Sequence, residues 1–81
     1  MSLKRDLQPM PDFVSRALDG RGLRQRYAER PPYQRNDYLG WINRAKRMET
    51  KLRRLEQMLD ELEAGDRYMN MAWSGRRRGA S

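Results

Sequence analysis

The chain contains no cysteine and no histidine. The first absence excludes a disulfide framework and a thiolate metal site. The second removes the commonest general base and the commonest metal ligand together. No apolar run approaches the roughly 20 residues that span a bilayer. The opening MSLKRDLQPMP also lacks the uninterrupted apolar segment of a secretory signal. A cytoplasmic protein is therefore the default expectation. No glycine-rich phosphate loop occurs, because Gly20-Arg21-Gly22 reads better as a helix junction. Asp37, Glu49 and Glu56 have the chemistry of catalytic acids, yet nothing supplies them with a nucleophile, a cofactor loop or a metal cluster. No catalytic, cofactor-binding or metal-binding residue is assigned, no cofactor is expected, and the expectation is a protein that is not an enzyme.

What is abundant is charge. Eighteen basic and 11 acidic residues among 81 give a net charge of +7. The distribution is uneven: residues 1–30 carry +3, 31–47 carry +3, 48–65 carry −2 and 66–81 carry +3. This admits two readings. Either the acidic segment pairs with its own basic neighbours, or the basic surface is the footprint of a nucleic acid. A single domain of this length buries only about 60% of its unfolded surface, so its stability is expected to be marginal.

Residues 1–10 read as an extended lead-in, since Pro9 and Pro11 fix φ and Met10 before Pro11 is pushed towards extended backbone. Pro11 to Asp19 reads as a short helix with Phe13, Val14, Ala17 and Leu18 on one face and Gly20 as its cap. Gly22 to Arg30 reads as a second. Leu23, Tyr27 and Ala28 face inward there, and Arg21, Arg24, Arg26 and Arg30 stay outside. Neither is long enough to be stable alone, so both must dock on something larger.

Pro32 suits the first position of a third helix, and Gly65 is the next clear stop. Between them positions 38, 41, 45, 48, 52, 55, 59 and 62 keep one heptad register. This permits a single helix of about 33 residues with a coiled-coil seam, which could also serve a dimer. It equally permits two helices folded back on each other. Gly40 falls on the polar face, where it weakens a helix without ending it. Glu49 precedes Arg53 by four residues, the favourable order for a helical ion pair. Glu56, Asp60 and Glu63 form an acidic strip beside the leucines. Acids near a helix C-terminus oppose its dipole, so arginines from the first 30 residues are expected to lie against them. In residues 66–81, Met69, Met71 and Trp73 alternate with Tyr68, Asn70 and Ala72, which reads as an extended segment laid over the helices. Arg76, Arg77 and Arg78 between glycines read as a mobile tail.

The spacing Arg35, Tyr38, Trp41-Ile42, Ala45-Lys46, Glu49-Thr50, Arg53-Arg54, followed by Leu55 and by Leu59 through Gly65, resembles the YdeI/OmpD-associated family. Its members are labelled bacteriocin-protection proteins. Pro11-Asp12 with Ala17-Leu18 is similar to the family's first helix. Members often carry proline where Met48 stands here, so the resemblance implies a helix boundary near Arg47. Glu49 and Thr50 would then lie in a first turn, where their side chains can meet free N–H groups. The resemblance implies a role in envelope stress or antimicrobial-peptide tolerance and carries no catalytic mechanism; larger members have an additional N-terminal domain, so this chain reads as a short, single-domain variant.

Tyr38, Trp41, Ile42 and Ala45 share a face and are expected in the core, with Leu55 opposite. The Trp41 indole N–H then wants a partner. The expected binding surface is the cationic group Arg35, Arg44, Lys46, Arg47, Lys51, Arg53 and Arg54. Arg35 and Lys46 flank the apolar face of the third helix, which suits contact at its junction with the fourth. The sequence as a whole reads as an all-α domain over residues 11–65: two short helices docked on an antiparallel helical hairpin. It is expected to bind an acidic protein or other anionic partner, and a nucleic-acid-binding module is the alternative. The oligomeric state is left open.

Overall fold

A computed structural model describes residues 7–73 of the protein. Four helices succeed one another: α1 (Asp12–Gly20), α2 (Arg24–Glu29), α3 (Pro32–Arg44) and α4 (Met48–Ala64). A small hairpin of β1 (Arg67–Tyr68) and β2 (Met71–Ala72) closes the described chain. The lead-in is described only from Leu7, and the run Arg76–Arg78 lies outside the described residues.

The long apolar register is broken at 45–47. Ala45 (φ −67°, ψ 140°) and Arg47 (φ −101°, ψ 145°) are both extended, and α4 starts afresh at Met48. Contacts between α3 and α4 run in reverse order, with Tyr38 against Glu61, Trp41 against Arg54 and Asn43 against Lys51, so the pair is antiparallel. Folding back brings Tyr38, Leu39 and Ile42 of α3 into one cluster with Leu55, Met58, Leu59 and Leu62 of α4. A single straight rod would leave both stripes in water. Each large side chain so buried contributes about 1.5–3 kcal/mol. α1 adds Val14 and Leu18, and Leu23 and Tyr27 come from the segment of α2. Met48 and Leu52 share the register but are 53% and 48% exposed.

Several local expectations shift. Pro11 stands just outside α1 as its N-cap, and Gly20 is still helical. It is Gly22, at φ 67°, that takes the left-handed turn, after which the Leu23 amide bonds Leu18 O at 2.8 Å. Ala28 is exposed, whereas Arg30, expected outside, is 2% exposed. Gly40 is not on an open polar face but buried. A Cβ there would meet Gln8 Cγ at 3.2 Å, because the lead-in lies across α3. Asn36 and Asn43 pin that strap: the Gln8 amide donates to Asn36 Oδ1 (2.8 Å) and Asn43 Nδ2 donates to Pro9 O (3.0 Å). Gly65 ends α4 in the left-handed region, at φ 84°.

The expected pairing of arginines with the acidic strip is present. Arg21, at the corner between α1 and α2, reaches Glu56 (3.1 Å), Asp60 (3.3 Å) and Glu63 (2.8 Å). Arg26 Nη1 adds bonds to the carbonyls of Leu62 (3.3 Å) and Glu63 (2.5 Å) at the C-terminal end of α4. A cation thus meets the negative end of the dipole that the acids alone would aggravate. Glu49 and Arg53 do not form the expected ion pair; the pairs among the described residues join other partners.

The period-2 segment after Gly65 is a hairpin rather than a single strand. Arg67 pairs with Ala72 and Tyr68 with Met71, antiparallel. Met69 (φ 51°) and Asn70 (φ 67°) supply the two positive φ values of a primed two-residue turn.

Candidate functional site

Two clusters of polar side chains stand out, one closed and one open. The closed cluster fastens the hairpin to the helices. Glu61, 5% exposed, accepts hydrogen bonds from the amides of Met69 (2.8 Å) and Asn70 (2.7 Å), from Gln57 Nε2 (3.2 Å) and from the Tyr38 hydroxyl. Burial, together with the hydrogen bond donated to the Glu61 carboxylate, pushes the Tyr38 phenol well above the ordinary tyrosine range. Burial likewise raises Tyr27. Arg30 donates to Gln34 Oε1 (2.9 Å) and to Glu61 O (3.0 Å), and its guanidinium lies 4.4 Å from the Trp73 ring centroid. Tyr68 packs edge-on against both Tyr33 and Tyr38 and donates to Asp37 Oδ2 at 2.7 Å. Every member of this cluster is committed to another, so it builds the fold and offers nothing to a ligand.

Sequence reasoning did not single out Glu61 or Arg30. A signal for Glu61 exists: it lies three residues after Met58 and directly before Leu62. At 100° per residue that borders the apolar stripe rather than the acidic strip.

The open cluster lies at the junction of α3 and α4. Trp41 from α3 and Thr50, Arg53, Arg54 and Gln57 from α4 line a surface pocket of about 290 Å³. The four α4 residues share one face because their spacing is that of successive helical turns. Trp41 is half-buried, packed on one side against the core. Arg54 donates Nη1 to Trp41 O at 2.6 Å, and its guanidinium lies 5.4 Å from the indole centroid. Lys51 Nζ reaches Asn43 O at 3.0 Å. These two cations satisfy carbonyls in the last turn of α3 that a helix end leaves without partners.

The seven residues expected to form a binding surface therefore divide. Arg44, Lys46, Arg47 and Arg53 are exposed, and none has an acidic partner among the described residues. Lys51 and Arg54 are half-buried and hold the hairpin junction. Arg35 is apart from the rest: half-buried beside Tyr27, with Nε unpartnered, and nine residues from Arg44 along α3, about 13 Å. Of the expected structural residues, Tyr38, Ile42, Ala45 and Leu55 are buried. Among the described residues the Trp41 indole N–H finds no partner. Glu49 is exposed and Thr50 half-buried, and neither side chain bonds the first-turn N–H groups of α4. Those amides are served by no side-chain cap, and Thr50 lines the pocket.

No group of three or more acidic residues among the described ones could hold a metal ion. No helix of the described residues is long and apolar enough to cross a membrane.

Compared with known proteins, residues 9–65 match the family model described as "Bacteriocin-protection, YdeI or OmpD-Associated". The match takes in all four helices and the junction pocket. No curated protein and no solved structure matches the chain.

Proposed function

Since the chain belongs to the YdeI or OmpD-associated bacteriocin-protection family, we propose that it acts in the cytoplasm as a non-enzymatic binding protein for an acidic protein partner. The binding face is the α3–α4 junction. One observation carries this reading. Arg21 and Arg24 are paired with acids and Arg26 and Arg30 are spent on internal bonds, whereas Arg44, Lys46, Arg47 and Arg53 are exposed without an internal acid. Exposed cations without an internal acid, carried by the end of α3, the linker and the start of α4, can steer an anionic partner. The family's description names a protective role and no reaction, which agrees with binding rather than turnover.

Capture of proteins by wild type and by the Arg44→Glu/Arg47→Glu/Arg53→Glu variant tests the reading. Acidic proteins retained by the wild type should be lost from the variant, and identical sets would overturn it. The same four cations could instead meet the phosphates of a nucleic acid. That reading predicts duplex DNA binding whose affinity falls steeply with salt. The net negative charge of residues 48–65 speaks against it, because a continuous polyanion laid along α4 would meet no net attraction beyond the junction.

A further inference from the structure

The geometry points to the junction pocket as the seat of a single carboxylate side chain of an acidic peptide, with an apolar neighbour of that carboxylate laid against Trp41. The inference rests on the reading above and names where and how the partner is held.

Arg54 is the anchor. Its guanidinium is fixed along one edge by the Trp41 carbonyl and steadied by the indole ring. Nε and Nη2 have no partner among the described residues. A guanidinium is a planar fork whose free edge matches a carboxylate with two parallel bonds. Here the fork is held before a ligand arrives, so less side-chain entropy is lost on binding. Arg53 adds a second, unpaired cation to the same wall, and the Thr50 hydroxyl is free to donate. Gln57, held through Nε2 by Glu61, completes the lining.

Size and surroundings select the occupant. At about 290 Å³ and open to solvent, the pocket lies just under the roughly 300–1,000 Å³ of small-molecule sites. It fits a side chain or two of a partner better than a free metabolite. Lys51 is turned to a carbonyl of α3, and the acids beside the pocket on α4 are Glu49, which is exposed, and Glu56 and Asp60, which Arg21 holds. One carboxylate flanked by apolar groups avoids them, and a run of phosphates does not. The wall opposite α4 is the half-buried indole, whose apolar surface gains from an apolar neighbour.

Fluorescence of a Trp73→Phe variant reports Trp41 alone, because these are the chain's two tryptophans. Two short synthetic peptides serve as probes, one alternating glutamate with leucine and the other glutamate with glycine. The leucine peptide should shift Trp41 emission saturably and bind about tenfold more tightly than the glycine peptide. Arg54→Lys keeps the charge but loses the fork, and should weaken binding about tenfold or more. Thr50→Val, which leaves the helix and its packing in place, should weaken binding severalfold. Binding by both variants equal to wild type, or peptide binding that leaves Trp41 emission unchanged, overturns the pocket while the acidic-partner reading stands. Failure of wild type to bind either peptide overturns both. A Trp41 shift produced equally by inorganic phosphate, or more strongly by duplex DNA, also overturns the peptide assignment.

Discussion

Glu61 shows how much one buried side chain can hold. Its carboxylate bonds two turn amides and the Tyr38 hydroxyl. Hydrogen bonds to a charged group are worth about 1.5–3 kcal/mol, and donors left unpaired in the interior add their own desolvation penalty. Glu61→Ala is expected to destabilise the protein by about 3 kcal/mol, against less than about 0.5 kcal/mol for exposed Glu49→Ala. Urea denaturation of the two variants checks this; equal midpoints would mean that the hairpin finds other partners. Tyr38 gives a pH prediction. Its phenol is held above the ordinary value of about 10. Between the unfolded and folded values the native state therefore keeps a proton that the unfolded state has lost. Stability is fully present below about pH 10 and falls as pH rises beyond it. Tyr38→Phe should flatten that alkaline decline while lowering stability at neutral pH, which thermal melts across the range would show.

At the scale of elements, the break between α3 and α4 decides the fold. Met48 is the first residue of α4 and comes after Arg47, whose extended backbone is the conformation preferred before proline. Met48→Pro should therefore be tolerated and should stabilise by about 0.4–1 kcal/mol, a rise in Tm of a few degrees. In an uninterrupted helix the same change would cost about 3 kcal/mol. A clear drop in Tm would thus contradict the bend. Gly65→Ala tests the other end of α4. At φ 84° an alanine is strained, and a loss of about 1 kcal/mol is expected in the same melts. The apolar periodicities of α1, α3 and α4 are readable because each helix has one covered face. α2 is less readable, since six residues scarcely define a face and Arg30 is turned inward by Gln34 of α3 and one carbonyl of α4. The hairpin is legible only as alternation. Its turn uses Met69 and Asn70 in place of the Asn-Gly that normally marks one.

At the scale of the whole molecule, the family match ends at residue 65, yet the hairpin beyond that point completes the interior. Met69 and Asn70 satisfy Glu61, and Trp73 covers Arg30. Truncation after Gly65 should therefore lower stability by about 2–4 kcal/mol. A truncated chain with an unchanged Tm would show the hairpin to be an appendage. The candidate site is legible in part, through Trp41, Thr50, Arg53 and Arg54. Their convergence is not, because it depends on the angle at which two helices meet.

The sequence by itself determined the helical class, the acidic strip and its need for arginines, and the core leucines of α4 apart from exposed Leu52. Those come from local periodicity and from the sign of charge near a helix end. Only the tertiary structure decided that Arg54 is held through one nitrogen by a carbonyl of α3 while Arg53 makes no such bond. It also decided that Gly40 makes room for Gln8 and that Glu61 is an inward anchor. Each depends on which surface lies opposite once the chain has doubled back, and no spacing along a single helix encodes its neighbour.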